Sequence, residues 1–294
     1  MQIGLIGFDT SHAVEFPKRL KALAASDAKY AGLRLDWGWV GEPGSSFRTP
    51  AQIAELQVKI EALGVKPVAT LDELISRCDA FLLESVNGDT HLRQARPVFA
   101  ARKPVYIDKP LAHTLADARA IARLAQESGT PCWSSSSLRF EPTMLAAKAQ
   151  AGKIAGVDVF GPAHYVDKGR GLVFYGVHTA EMIVTVMGMG LETVQTLWHE
   201  KGEVAVGRYT DGRYAILRGD RNAIKQFGGT VYGEKIVPFL GSGDYYGALC
   251  KNLADFFLGA PPPVPLAESV EVIAFLDAAV RSKEANGAPM AVYP

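Results

Sequence analysis

The first 137 residues alternate short apolar runs with stretches of helical periodicity, and this alternation limits the chain to few folds. Strands joined by amphipathic helices pair in parallel, with the helices covering both faces of the sheet. Apolar runs at 2–7, 33–40, 67–69, 80–86, 104–108 and 131–135 predict strands. Helical patterns fall at 13–25, 51–63, 71–77, 90–102 and 115–128. Local signals agree with this reading. Thr70-Leu-Asp-Glu73 and Thr114-Leu-Ala-Asp117 have capping-box spacing. Gly64 and Gly129 stand where helices should stop, each followed shortly by a proline.

After Ser134–Ser137 the pattern changes. A helix is expected near 142–150, and the apolar stretch 173–188 predicts a buried one. Residues 192–240 read as several strands joined by turns such as Thr210-Asp-Gly-Arg213 and Phe227-Gly-Gly-Thr230. Pro261–Pro265 is a stiff connector between helices near 246–258 and 266–286. The fold class is therefore α/β. A Rossmann-type parallel sheet over 1–137 is followed by an α+β domain over 138–294 with a mostly antiparallel open sheet.

Charge and cysteine content exclude several functions. The 31 basic residues balance the 31 acidic ones, so no basic excess favours a nucleic acid or a polybasic membrane contact. No apolar run has the length of a membrane span, and the N-terminus enters a strand without a signal-peptide pattern. Cys78, Cys132 and Cys250 are odd in number and far apart, which predicts reduced thiols and a cytoplasmic protein.

The first strand ends in a turn that opens like a dinucleotide-binding fingerprint and then departs from it. Gly7 holds the first position of G-x-G-x-x-G, while Asp9 and His12 stand at the second and third, with Thr10 and Ser11 between them. A carboxylate about 4 Å from a phosphate oxygen costs roughly 1 kcal/mol in water and about 4 kcal/mol at an effective dielectric near 20. Thr10 and Ser11 offer donors in return, and a helix N-terminus favours an anion. Glu42 is the acidic candidate for a ribose hydroxyl after the second strand.

Other candidates sit at strand ends. Val105-Tyr-Ile-Asp108-Lys109-Pro110 places a charged pair at the carboxyl edge of a buried strand. Lys109 there either positions a reacting oxygen or simply pairs with Asp108. His178 lies on the apolar helix with Glu181 one turn on, where it is either a core histidine or one oriented by that carboxylate. Asn87 and His91 follow the fourth major strand and face the same edge, and Asp89 and Thr90 read as helix caps. His164, Lys168 and Arg170 lie in a polar segment that either binds a hydroxyl or carboxylate or is a solvated connector. Asp9, His12, His91 and His178 carry metal-type donors without compact spacing, so no metal is assigned.

Together these motifs resemble the Gfo/Idh/MocA family over nearly the whole chain. Asp108-Lys109-Pro110 is similar to its E-K-P element, and Val86–His91 to its T-P-x-x-x-H segment. Leu138-Arg139-Phe140 is similar to its domain junction, and Gly176-Val-His178 to its G-[IV]-H element. Leu266–Asn286, Pro289 and Val292 resemble its ending. The resemblance implies an oxidoreductase using NAD or NADP on a hydroxyl or carbonyl of a sugar-like or polyol substrate. It implies dimers or tetramers through the second sheet. Gly7, Asp9, Thr10, Ser11, His12, Glu42, Asn87, His91 and Asp108 would face the cofactor. Lys109, Lys168, Arg170, Tyr175 and His178 would face the substrate, with Lys109 and His178 catalytic. Phe174 departs from the pattern, since the family usually carries Asp there. With Asp9 it raises a second reading, a non-redox ligand-binding or regulatory protein on the same scaffold.

Overall fold

The computed structural model describes every residue except Lys168 and Asp244. It divides into two compact units that interleave along the chain. The first comprises 1–112, 116–135 and 246–266; the second comprises 113–115, 136–245 and 267–294.

The first unit holds a six-stranded parallel sheet. Its strands are β1 (Gln2–Ile6), β2 (Arg34–Trp39), β3 (Lys66–Pro67), β4 (Ala80–Leu83), β5 (Val105–Ile107) and β6 (Cys132–Ser134). They run in the order β3-β2-β1-β4-β5-β6, the doubly wound order. Between them lie α1 (His12–Ser26), α2 (Pro50–Ala62), α3 (Leu71–Arg77), α4 (His91–Ala100) and α5 (Leu115–Ser128). The predicted Rossmann-type sheet is thus observed. Ile3, Leu5 and Ile6 of β1 and all four residues of β4 are buried, as expected for central strands covered on both faces.

Helix ends follow the sequence signals. The Thr70 hydroxyl accepts the Glu73 N–H at 3.1 Å, and Gly64 and Gly129 take positive φ just past their helices. Thr49 and Gln52 form a complete capping box on α2. A later helix, α8 (Gly247–Phe257), also belongs to this unit. Its Asp255 accepts from the Tyr30 hydroxyl at 2.9 Å, and Phe256 packs edge-on against Trp133.

The second unit is a seven-stranded sheet with α6 (Pro142–Ala151), α7 (Leu172–Met187) and α9 (Leu266–Glu284). Its strands are β7 (Gly156–Pro162), β8 (Leu191–His199), β9 (Gly202–Tyr209), β10 (Tyr214–Asp220), β11 (Gly228–Tyr232), β12 (Ile236–Leu240) and β13 (Met290–Ala291). The order is β12-β11-β7-β10-β9-β8-β13, with β7 and β10 parallel and the other pairs antiparallel. The mostly antiparallel sheet was expected.

One local expectation needs correction, and one strand lacked a clear sequence signal. Phe227-Gly-Gly-Thr230 is not a turn, because Gly228 and Gly229 lie inside β11. A Cβ on Gly229 would stand 2.3 Å from the Asp158 carbonyl oxygen of β7, so the glycines serve close strand packing. Strand β7 lies in the middle of the sheet, yet its flanking Gly and Pro disguised it. The buried Val157 and Val159 on either side of half-buried Asp158 are its signal. Among the described residues, no helix is long and apolar enough to cross a membrane.

Gly7 carries the tightest constraint of the first unit, with φ +88° and a virtual Cβ 2.5 Å from the Ser85 hydroxyl oxygen. Gly7→Ala combines left-handed strain with overpacking and is expected to cost about 2–5 kcal/mol. Urea denaturation read by circular dichroism measures this as a lower midpoint with an unchanged slope.

Candidate active site

In the first unit the carboxyl ends of β1, β4 and β5 gather one set of titratable groups. Asp108, directly after β5, is 1% exposed. Its Oδ2 lies 2.8 Å from His12 Nδ1 and 3.6 Å from Lys109 Nζ. Burial opposes its charge, but His12 and Lys109 hold its carboxyl below the usual carboxylate range. His12 Nε2 is 3.3 Å from the Tyr246 hydroxyl, and its ring stacks on Phe16. Glu84, directly after β4, is fully buried, and neither carboxylate oxygen has a hydrogen-bond partner among the described residues. Burial and the neighbouring Asp108 push its carboxyl well above the ordinary range. The sequence reading passed over Glu84; a lone acid ending an otherwise wholly apolar strand was the available signal.

The turn after β1 satisfies its own polar groups. The Asp9 carboxylate accepts the Val86 N–H at 2.9 Å and is also hydrogen-bonded by Ser46. It is 6% exposed, and burial raises its pKa. The side chain is thus tied to the segment after β4, which removes part of the expected phosphate repulsion. The Thr10 hydroxyl accepts the His12 N–H at 3.2 Å, and Ser11 precedes α1 without capping it through its side chain. Beside this turn a 620 Å³ cavity extends past β2, lined by Asp9, Trp39, Glu42, Ser46 and Leu71 among others. Gly7's turn, the start of α1 and this cavity fit a dinucleotide. Glu42 also pairs with Arg93, whose Nε lies 2.8 Å from its Oε1. An acceptor suited to a ribose 2′-hydroxyl and a guanidinium suited to a 2′-phosphate thus stand side by side.

Two expected cofactor residues make internal contacts instead. Asn87 accepts the Asp89 N–H through its side-chain oxygen and donates to the Ser45 carbonyl. His91 is wholly buried, with Nε2 2.7 Å from the Ser85 carbonyl and Nδ1 3.2 Å from that of Leu111. Burial lowers its pKa, so a neutral ring donates to one of these carbonyls and ties two loops together. Asp89 and Thr90 were read as caps, but Thr90 makes no side-chain cap; its hydroxyl donates to the Asn87 carbonyl.

In the second unit, His178 lies on α7 and is 9% exposed. Its Nδ1 is 2.7 Å from the Ser136 hydroxyl, which also accepts the Leu138 N–H. The direction of the Ser136–His178 hydrogen bond follows the tautomer of the imidazole. The expectation that Glu181 orients this imidazole is corrected. Glu181 is buried against Arg139, with Oε2 2.7 Å from Nε, because a buried guanidinium needs compensating carboxylates. Glu268 adds a second contact to Arg139 at 2.5 Å. Tyr175 packs edge-on against His178 and His164 and stacks with Phe227. Arg170 donates to the His113 carbonyl and pairs with Asp277 at 2.8 Å, so the structure gives it an internal anchor. Lys168 lies outside the described residues.

The first unit is thus a doubly wound sheet with a lysine at the edge of β5, and the second is an α+β unit carrying an anchored histidine. Residues 48–136 match the GFO_IDH_MocA model, an oxidoreductase family with an NAD-binding Rossmann fold. The resemblance read from the motifs is thus borne out, and this segment is similar to that family. The expected cofactor, NAD or NADP, follows from that fold.

An uncharacterized oxidoreductase of Escherichia coli K12, YhhX, is 29% identical over 132 residues. The match covers 40% of this chain and spans only 38% of YhhX. A probable dehydrogenase from Thermotoga maritima shares the fold with a TM-score of 0.80 at 20% identity over 99% of both chains. Scyllo-inositol dehydrogenase from Lactobacillus casei, crystallised with NAD(H) and scyllo-inositol, gives 0.78 at 14% identity over 100% of this chain and 99% of its own. GenD2 from gentamicin A biosynthesis, crystallised with NAD, gives 0.81 at 19% over 99% and 96%.

Glu84 yields a pH-dependent prediction. Its folded pKa lies above its unfolded one, so the folded state keeps a proton that the unfolded state releases. Wild-type stability therefore falls as pH rises above the ordinary carboxylate range toward the folded value. Glu84→Gln removes this penalty. Thermal melts are expected to show a higher Tm for the variant at neutral pH, with the gap closing toward pH about 4.

Proposed function

We propose that this protein is an NAD(P)-dependent oxidoreductase acting on a hydroxyl or carbonyl of a sugar-like or polyol substrate. The observation that carries this reading is Lys109, which is largely buried at the carboxyl edge of β5 and held beside Asp108. Bound nicotinamide would accept or return the hydride at the substrate carbon. Lys109 positions and polarises the reacting oxygen through its ammonium. His178 takes or gives the hydroxyl proton, with Ser136 holding its Nδ1 side. In the oxidative direction the bound cofactor would take the hydride of the alcohol, and His178 would take its hydroxyl proton.

Gly7 and the start of α1 are assigned to the pyrophosphate and Glu42 to the adenosine ribose. Tyr175 is assigned to the substrate through its contact with His178. We assign dimer or tetramer formation to the second sheet, where Leu197, Trp198, Tyr214, Ile236 and Leu240 are exposed. Cytoplasmic location is supported by three buried free cysteines.

The second reading, a ligand-binding or regulatory protein without turnover, is favoured by Phe174 in place of the family's aspartate. Calorimetry with NADH and NADPH separates the two. Saturable binding is expected for the oxidoreductase, and its absence for both cofactors overturns that reading. On a substrate drawn from a polyol and sugar panel, Lys109→Ala and His178→Ala are each expected to lower kcat at least about 100-fold. Carbohydrate binding without any turnover, unchanged in either variant, supports the second reading.

A further inference from the structure

At the carboxyl edge of the first sheet two buried carboxylates, Glu84 and Asp108, stand close to one another. His12, Glu84 and Asp108 each bring a polar atom within 4.8 Å of the other two. Around them stand His12 from α1, Tyr106 on β5, Asp108 and Lys109 after β5, and Tyr246 before α8, with buried His91 of α4 farther off. Lys109 is the lysine of this set, and with His12 it is already engaged by Asp108. Among the described residues Glu84 has no hydrogen-bond partner for either oxygen at zero exposure, an arrangement that an ionised carboxylate tolerates only at great cost.

We propose that Glu84 is a proton-controlled positioning residue for Lys109. As a neutral acid it leaves the ammonium to Asp108, and on giving up its proton it becomes a second anion that restrains Lys109. This builds on the assignment of Lys109 as the residue that meets the reacting oxygen. Burial and the neighbouring Asp108 act in the same direction, keeping the proton on Glu84 beyond the ordinary carboxylate range. The step is a plain acid dissociation, in which the Glu84 O–H proton passes to solvent and the electron pair stays on the carboxylate.

Infrared spectroscopy of the intact chain tests the protonation. A carboxylic-acid carbonyl band is expected at neutral pH, declining as pH rises and absent from Glu84→Gln. Lys109 acetylation by acetic anhydride, followed by peptide mass spectrometry, tests the restraint. Above the pH at which the band disappears, Lys109 is expected to react about tenfold faster in Glu84→Gln than in wild type. Glu84→Asp, which keeps the acid, is expected to restore slow acetylation. Absence of the band, or equal acetylation rates in wild type and Glu84→Gln, overturns the proposal. One equivalent of zinc or manganese retained by wild type and lost from Glu84→Gln also overturns it, because the carboxylate would then serve a metal. Neither readout uses cofactor or substrate, so this proposal and the redox assignment fail on different measurements.

Discussion

Asp108 cannot carry a charge at the end of β5 without partners, and the carboxyl edge of the first sheet is arranged around that requirement. Removing a carboxylate from water costs several kcal/mol unless a cation or strong donor replaces the lost solvation. His12 meets it from the first residue of α1, and Lys109 meets it from the adjoining position in sequence. The pairing accounts for two departures from the family pattern together. A histidine replaces the third glycine of the turn, and the shorter Asp replaces Glu before the lysine. The aspartate receives the imidazole at 2.8 Å while keeping the lysine in reach at 3.6 Å. Glu84 is the group this arrangement leaves over, buried with no hydrogen-bond partner among the described residues.

The second unit resolves a similar problem with opposite signs. Arg139, nearly enclosed, is met by Glu181 and Glu268. Because Glu181 is committed there, orientation of the nearby imidazole passes to Ser136, a neutral partner. A neutral hydroxyl holds the ring in place without adding a negative charge at Nδ1.

The modified turn alters how the first loop is held while preserving its path. Gly7 keeps the tight bend because Ser85 leaves no room for a Cβ. Asp9, one turn position further on, bonds to the backbone after β4 and becomes an internal brace. A loop braced in this way loses less freedom when a ligand is bound than an open glycine loop does. The cavity beyond β2 is lined by Glu42, which pairs with Arg93.

Much of this protein was legible from the sequence. Hydrophobic periodicity, caps and helix-stopping glycines located the strands and helices of the doubly wound sheet, because those signals act over a few residues. Lys109 and His178 were identified by residue type and by position at a strand edge or on an apolar helix. Their partners were not. That His12 meets Asp108, that Ser136 rather than Glu181 meets His178, and that Glu84 meets no donor are relations across 96, 42 and many other residues of sequence. So too is the return of Tyr246–Leu266 to the first unit. Local sequence determines which backbone forms and which chemistry is present. Only tertiary packing decides which buried charge finds a partner, since desolvation and Coulomb attraction depend on distances that pattern alone does not set. At this edge, that decision separates a paired Asp108 from an unpaired Glu84.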